Sequence, residues 1–174
     1  MTVAMAADGQ QLRIHSMGQD WLVSWHPAPD APPGLAHGAE GVCVTADGAV
    51  VLISTDGKLW DMPAGRPEPG ETWEDTLRRE MLEEACATVV GARLLGFTRG
   101  ECVEGHEQGR VLVRSMWRAD VELGPWDPRF EIPYRRVVPA ADVARELAVD
   151  DNPFAAFLRR ELHEAGISLS GPDS

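Results

Sequence analysis

Glu80, Glu83 and Glu84 are spaced i, i+3 and i+4, so a helix through them carries three carboxylates on one face. Like charges at that spacing repel one another. The group also falls toward the C-terminal end of the expected helix, where the macrodipole disfavours anions. Both penalties in one place imply a partner of opposite charge. The simplest is a hard divalent cation held by oxygen ligands, Mg²⁺ or Mn²⁺. Such a cation serves phosphate chemistry, because it neutralises diphosphate oxygens, polarises phosphorus and lowers the pKa of bound water. The plain alternative is a solvated acidic face on a surface helix.

A longer pattern surrounds these carboxylates. Gly65 is followed by five residues and then Glu71, and seven more lead to Arg79-Glu80, Met81, Leu82, Glu83-Glu84, Ala85, Cys86 and Ala87. The run resembles the Nudix box, G-x5-E-x7-R-E-U-x-E-E-x-G-U, with U a bulky aliphatic residue. Gly65, Glu71, Arg79, Glu80, Glu83 and Glu84 match, and Met81 suits the first U. Cys86 replaces the box Gly at the helix exit, where Gly commonly takes the left-handed conformation. Ala87 is small for the last U. Upstream, Trp60, Met62, Pro63, Ala64 and Gly65 are similar to W-x-L-P-G-G. Downstream, Glu131, Ile132, Arg136, Val138, Pro139 and Asp142 fit E-I-x-E-x-R-W-V-P-x-D-E-L, with Tyr134 at the second Glu and Val137 at the Trp.

The resemblance covers roughly residues 40–165 and carries several implications. The fold implied is α/β (α+β), a mixed β-sheet sandwiched between helices. Glu80, Glu83 and Glu84 are the implied metal ligands, joined by the backbone carbonyl of Ala64. Glu71 and Arg79 are the implied supports, Arg79 by pairing with a carboxylate. The general base is a box Glu or a downstream carboxylate; Glu101, Glu104, Glu107 and Glu131 are candidates, each set against a solvated loop residue. The implied activity is Mg²⁺- or Mn²⁺-dependent hydrolysis of a phosphoanhydride bond in a nucleoside diphosphate linked to another group. A nucleotide-binding or regulatory module without turnover is the alternative. An isomerase of the isopentenyl diphosphate type shares the fold, but its Cys-containing motif is not visible.

Substrate is not selected by any submotif. Cys102 stands where a Pro would suggest ADP-ribose, Tyr134 is the only Tyr, and the SQPWPFPxS and coenzyme A signatures are absent. Trp60 is a candidate for stacking on a base, although a Trp beside a turn more often packs at a core or rim. Arg99 and Arg110 are candidate phosphate contacts, set against ordinary surface arginines. Trp117 reads as core, His106 as a loop residue without catalytic duty, and Cys86 as an unreactive thiol.

The whole chain is consistent with that chemistry. Its 174 residues suffice for one domain with a real core, and 44% hydrophobic with 25% charged residues is ordinary globular composition. A net charge of −12 argues against nonspecific nucleic-acid or anionic-membrane binding. Three cysteines, Cys43, Cys86 and Cys102, make no disulfide framework and point to a reducing, cytoplasmic setting. The N-terminus lacks a signal-peptide pattern, and no apolar run is long enough to span a membrane. A homodimer is left open.

The elements that must position the carboxylates are also readable. Gln11–Ser16 and Trp21–His26 alternate as two strands, and the Pro-rich stretch 27–34 separates them from the rest. Residues 1–39 therefore read as a β extension packed on a main unit at 40–174. Gly41–Ala46 and Ala49–Ser54 flank the hairpin signal Asp47-Gly48. A helix begins at Thr72, with Asp75 completing a capping box and Leu77, Met81 and Ala85 as the apolar stripe. Thr88–Thr98 reads as a strand, 99–110 as a polar loop and Val111–Leu123 as a long strand. Pro153–Ala165 reads as a terminal helix, capped by Asp151 or Asn152, burying Phe154, Phe157, Leu158, Leu162 and Ala165, and ended by Gly166.

Overall fold

A computed structural model of the chain describes residues 3–169. Its strands are β1 (Leu12–Ser16), β2 (Gln19–Pro27), β3 (Leu35–Val44), β4 (Val50–Ser54), β5 (Ala64–Gly65), β6 (Ala87–Glu104), β7 (Val111–Leu123) and β8 (Tyr134–Val138). Its helices are α1 (Trp73–Ala85), the single turn α2 (Val143–Glu146) and α3 (Ala155–Glu164). The strands form one mixed sheet in the order β1-β2-β6-β7-β3-β4-β8, with β5 paired to β3. β3 runs parallel to β7, and every other pairing is antiparallel. Helices cover both faces, as expected from the sequence.

Each face buries its own core. Leu77, Met81 and Ala85 of α1 pack with Val51, Trp117 and Ala119. On the other face Phe157, Leu158 and Leu162 of α3 pack with Trp25, Leu52 and Met116. Trp117 and Met116 are consecutive on β7 and serve opposite cores, because successive strand side chains point to opposite faces. Burying one such side chain contributes about 1.5–3 kcal/mol, so α1 is held chiefly by its stripe.

The local caps set where α1 starts and stops. The Asp75 N–H donates to Thr72 Oγ1 at 3.1 Å, and the Thr72 N–H donates to Asp75 Oδ2 at 3.0 Å, closing the expected capping box. At the exit Cys86 adopts φ 51°, ψ 39°, the left-handed conformation that suits Gly. Its N–H donates to the Leu82 carbonyl at 3.1 Å.

Two expectations need correction, and one strand was not foreseen. The strand expected to end at Thr98 runs to Glu104, because β2 supplies backbone partners along it: Ser24 pairs with Arg99, Leu22 with Glu101 and Trp21 with Cys102. The first half of the polar stretch 99–110 is therefore strand, and the connection shrinks to residues 105–110. Tyr134–Val138 is a strand on β4, although its sequence, Tyr-Arg-Arg-Val-Val, has no clean alternation. The terminal helix starts two residues late, at Ala155, without a side-chain cap on its N-cap residue Phe154. Asn152 accepts the Phe154 N–H instead, at 2.9 Å.

Candidate functional site

α1 presents Glu80, Glu83 and Glu84 from its second half, with no basic residue in its last turn. Arg79 organises them. Its Nε and Nη2 donate to the two Glu71 oxygens at 2.7 and 2.9 Å. Nη1 donates to Glu80 at 2.7 Å and to Glu83 at 3.2 Å, while Nη2 also reaches the Arg66 carbonyl at 2.8 Å. One planar guanidinium thus ties the α1 entry loop to two carboxylates, a fork geometry that Lys lacks.

β5 receives the carboxylates from the other side. Glu84 Oε2 accepts the Ala64 N–H at 3.0 Å. Glu80 lies against Gly65 so closely that a Cβ there would sit 1.9 Å from the carboxyl carbon. Gly65 is thus required by space rather than by backbone conformation.

The electrostatics divide the group. The Arg79 guanidinium and the Glu68 N–H hold the Glu71 carboxyl down at about 2. Burial pushes Glu84 up to about 7, and Glu80, Glu131 and Asp61 push in the same direction against the Ala64 N–H. Glu80 is also raised, because burial outweighs its pairing with Arg79. Two part-buried carboxylates are therefore short of positive charge where they face β5.

A cation fits this donor set. Every side-chain donor is a hard carboxylate oxygen, the preference of Mg²⁺ and Mn²⁺. Gly65 keeps the space that Glu80 occupies, and the charge shortage at Glu84 is what a cation relieves. As placed, Arg79 engages Glu80 and Glu83, and among the described residues no three acidic, His or Cys side chains close around one point.

The remaining candidates are scattered. Glu131 is exposed but near enough to Glu84 to raise its pKa. Trp60 lies under the Arg136 guanidinium, 4.2 Å from its ring centroid, and packs at the edge of the α3-side core. Arg99 sits on β6, 3.8 Å from Glu101 and 3.4 Å from the Pro33 carbonyl. Glu104 pairs with Arg13 at 3.2 Å. Arg110 and Glu107 pair at 2.5 Å and line a cavity of about 720 Å³, which His106 also lines.

That cavity contains residues that sequence reasoning missed: Glu40, Asp61, Arg114 and Glu161. Glu161 carried a readable signal, since it follows Phe157 by four residues and falls inside the apolar stripe of α3. Glu40 sits among small and apolar residues of β3, a second acid inside a buried run. Asp61 is exposed at the cavity, yet surrounding protein raises its pKa.

Comparison with known proteins adds three findings. The family model described as NUDIX domain matches residues 35–160. A search of curated proteins returns no match. The Bacillus subtilis pyrophosphohydrolase BsRppH superposes with a TM-score of 0.64 at 18% identity, covering 91% of this chain and 99% of that one. A NUDIX hydrolase from Nitrosomonas europaea gives 0.58 at 20% identity, covering 81% of this chain and 95% of that one. The NUDIX domain of Shewanella oneidensis NrtR, complexed with ADP ribose, gives 0.51 at 18% identity, covering 66% and 78%. At these identities the superpositions speak for the fold alone.

Proposed function

The chain belongs to the NUDIX domain family, and from that premise we propose that it is a divalent-cation-dependent hydrolase of nucleoside diphosphate derivatives. The observation that carries this reading is the intact carboxylate face of α1, turned onto β5 and short of positive charge at Glu80 and Glu84. Glu80, Glu83, Glu84 and the Ala64 carbonyl would hold Mg²⁺ or Mn²⁺. A cation there supplies charge neutralisation on the diphosphate and a more acidic water.

The chain's own residues supply the rest. Arg79, anchored by Glu71, sets the spacing of Glu80 and Glu83. His37 lies among Arg114, Arg66 and Arg110, which lower its pKa after burial does, so this part of the 720 Å³ cavity is cationic and suits a diphosphate. Glu131 would take the proton of the attacking water, a reading supported by its electrostatic influence on Glu84. The new bond joins water oxygen to phosphorus, the anhydride P–O bond breaks, and the displaced phosphate leaves with the electron pair.

The test is a panel of nucleoside diphosphate derivatives assayed for released phosphate or monophosphate. Turnover is expected with Mg²⁺ or Mn²⁺ and none in chelator. Glu84→Gln is expected to lower kcat by about a hundredfold or more, the scale of losing one transition-state charge partner. The metal-free variant should be at least as stable as wild type, since a part-buried charge is removed. Turnover undiminished by chelator, or binding of panel members without hydrolysis of any, overturns the reading.

A further inference from the structure

Between the sheet and α3, the 720 Å³ cavity has two unlike ends. Exposed Arg66 and Arg110 mark its open side, and buried Glu40 and Glu161 mark its inner end. Trp21, Met116 and Phe157 give it apolar walls. A cationic mouth, apolar walls and an acidic floor call for a ligand that is anionic at one end, flat in the middle and rich in N–H donors at the other.

The floor can be read valence by valence. Glu161 is 0% exposed, and neither of its carboxyl oxygens accepts a hydrogen bond from a donor among the described residues. A buried polar group without a partner needs a physical reason. Burial raises the pKa of this carboxyl and so favours its protonated form, and the neighbouring Glu40 and Asp61 act in the same direction against Arg114. Glu40 is 8% exposed, and its Oε2 accepts from Arg114 Nη1 at 3.2 Å. A protonated Glu161 would donate its O–H to the neighbouring Glu40, so that Glu161 acts from behind and Glu40, the more accessible of the two, meets the ligand. Asp61, exposed beside these two buried acids, accepts the Met62 N–H through Oδ1 at 2.8 Å, leaving its second oxygen open to the cavity. The floor therefore offers carboxylate acceptors beside one guanidinium donor.

We propose that this floor reads a nucleobase edge with two adjacent N–H donors beside a carbonyl, the guanine pattern, through Glu40, Asp61 and Arg114, with Glu161 as the residue that positions Glu40. Guanine sets its ring N–H and amino group against the acceptors and its carbonyl against Arg114. Adenine and cytosine turn a ring acceptor toward a carboxylate, and uracil offers one ring N–H between two carbonyls. A site built to hydrogen-bond a given edge rejects analogues that leave its buried polar groups unpaired. The proposal deepens the hydrolase reading and rests on it for the nucleotide.

The test is equilibrium titration of the full chain in chelator, where turnover stops, with GDP, ADP, CDP and UDP. GDP is expected to bind at least about tenfold tighter than ADP, a modest share of the discrimination such sites reach. Glu40→Gln should bring the two affinities within about threefold of each other. Glu161→Gln keeps an N–H to donate to Glu40 and should keep the preference, whereas Glu161→Leu should lose it. Thermal unfolding of each variant reports whether it folds; if Glu161→Leu does not, Glu40→Gln decides. Equal wild-type affinities, binding of neither nucleotide, or an undiminished preference in Glu40→Gln overturns the inference, whatever the hydrolysis assay shows. A GDP preference in a protein that hydrolyses nothing sustains it and sinks the hydrolase reading instead.

Discussion

At the scale of single residues, Gly65 and Cys86 show two ways in which a position restricts its side chain. Gly65 is a matter of space, since a Cβ would overlap the Glu80 carboxyl. Gly65→Ala is expected to displace Glu80 by about an ångström and lower kcat by about a hundredfold, the loss typical of a misplaced catalytic group. The Mg²⁺ assay checks it, with thermal unfolding to exclude collapse. Cys86 is a matter of backbone, since its φ of 51° costs a non-Gly residue about 1–2 kcal/mol. Cys86→Gly relieves that strain, offset in part by the greater freedom of an unfolded Gly, so Tm should rise by no more than about 4 °C. kcat should not change. A lower Tm would show that the contact from Cys86 Sγ to the Asp127 carbonyl, 3.6 Å long, outweighs the strain. Glu74→Gln is the control: Glu74 only forms an exposed i,i+4 pair with Arg78, worth about 0.2–0.5 kcal/mol.

At the scale of elements, α1 is the part of the fold whose ends are written locally. Thr72→Ala removes one half of the capping box and is expected to cost about 1 kcal/mol in denaturant unfolding. The carboxylates lie two turns further on, so kcat should hold; a large loss would mean that the cap positions the Glu face. Thr72, Asp75 and Cys86 were readable because capping couples residues three or four apart. The stripe Leu77, Met81, Ala85 was readable because one helical period links it. β6 was misjudged because its last third is ordered by β2, some 80 residues earlier in the chain, and no local pattern records that partnership. The box carboxylates were found by spacing along one helix. Glu40 and Glu161 were not, because they meet only when β3 and α3 pack across the cavity, and each alone is a single acid in an apolar run.

At the scale of the molecule, the buried acids link stability to pH. Glu161 has its folded pKa raised above the ordinary carboxylate value by burial, with Glu40 and Asp61 adding to the shift and Arg114 opposing it. Its protonated form favours folding fully below the unfolded pKa, about 4.3. That contribution is lost as pH rises toward the folded pKa. Glu161→Gln carries no titrating proton, so its stability relative to wild type should improve between pH 5 and pH 8. A difference flat in pH would place Glu161's proton elsewhere. The sheet order has a further consequence during synthesis. β2 and β3 leave the ribosome early, yet their neighbours β6 and β7 end at Leu123, about 80 residues after β3. At roughly 5–20 residues per second, the nascent chain carries β2, with Trp21 and Trp25, and β3 without their β6 and β7 partners for roughly 4–16 s, although β1 and β4 are already made. During that interval the first 54 residues have unsatisfied strand edges and exposed tryptophans, the features that recruit chaperones and seed aggregation.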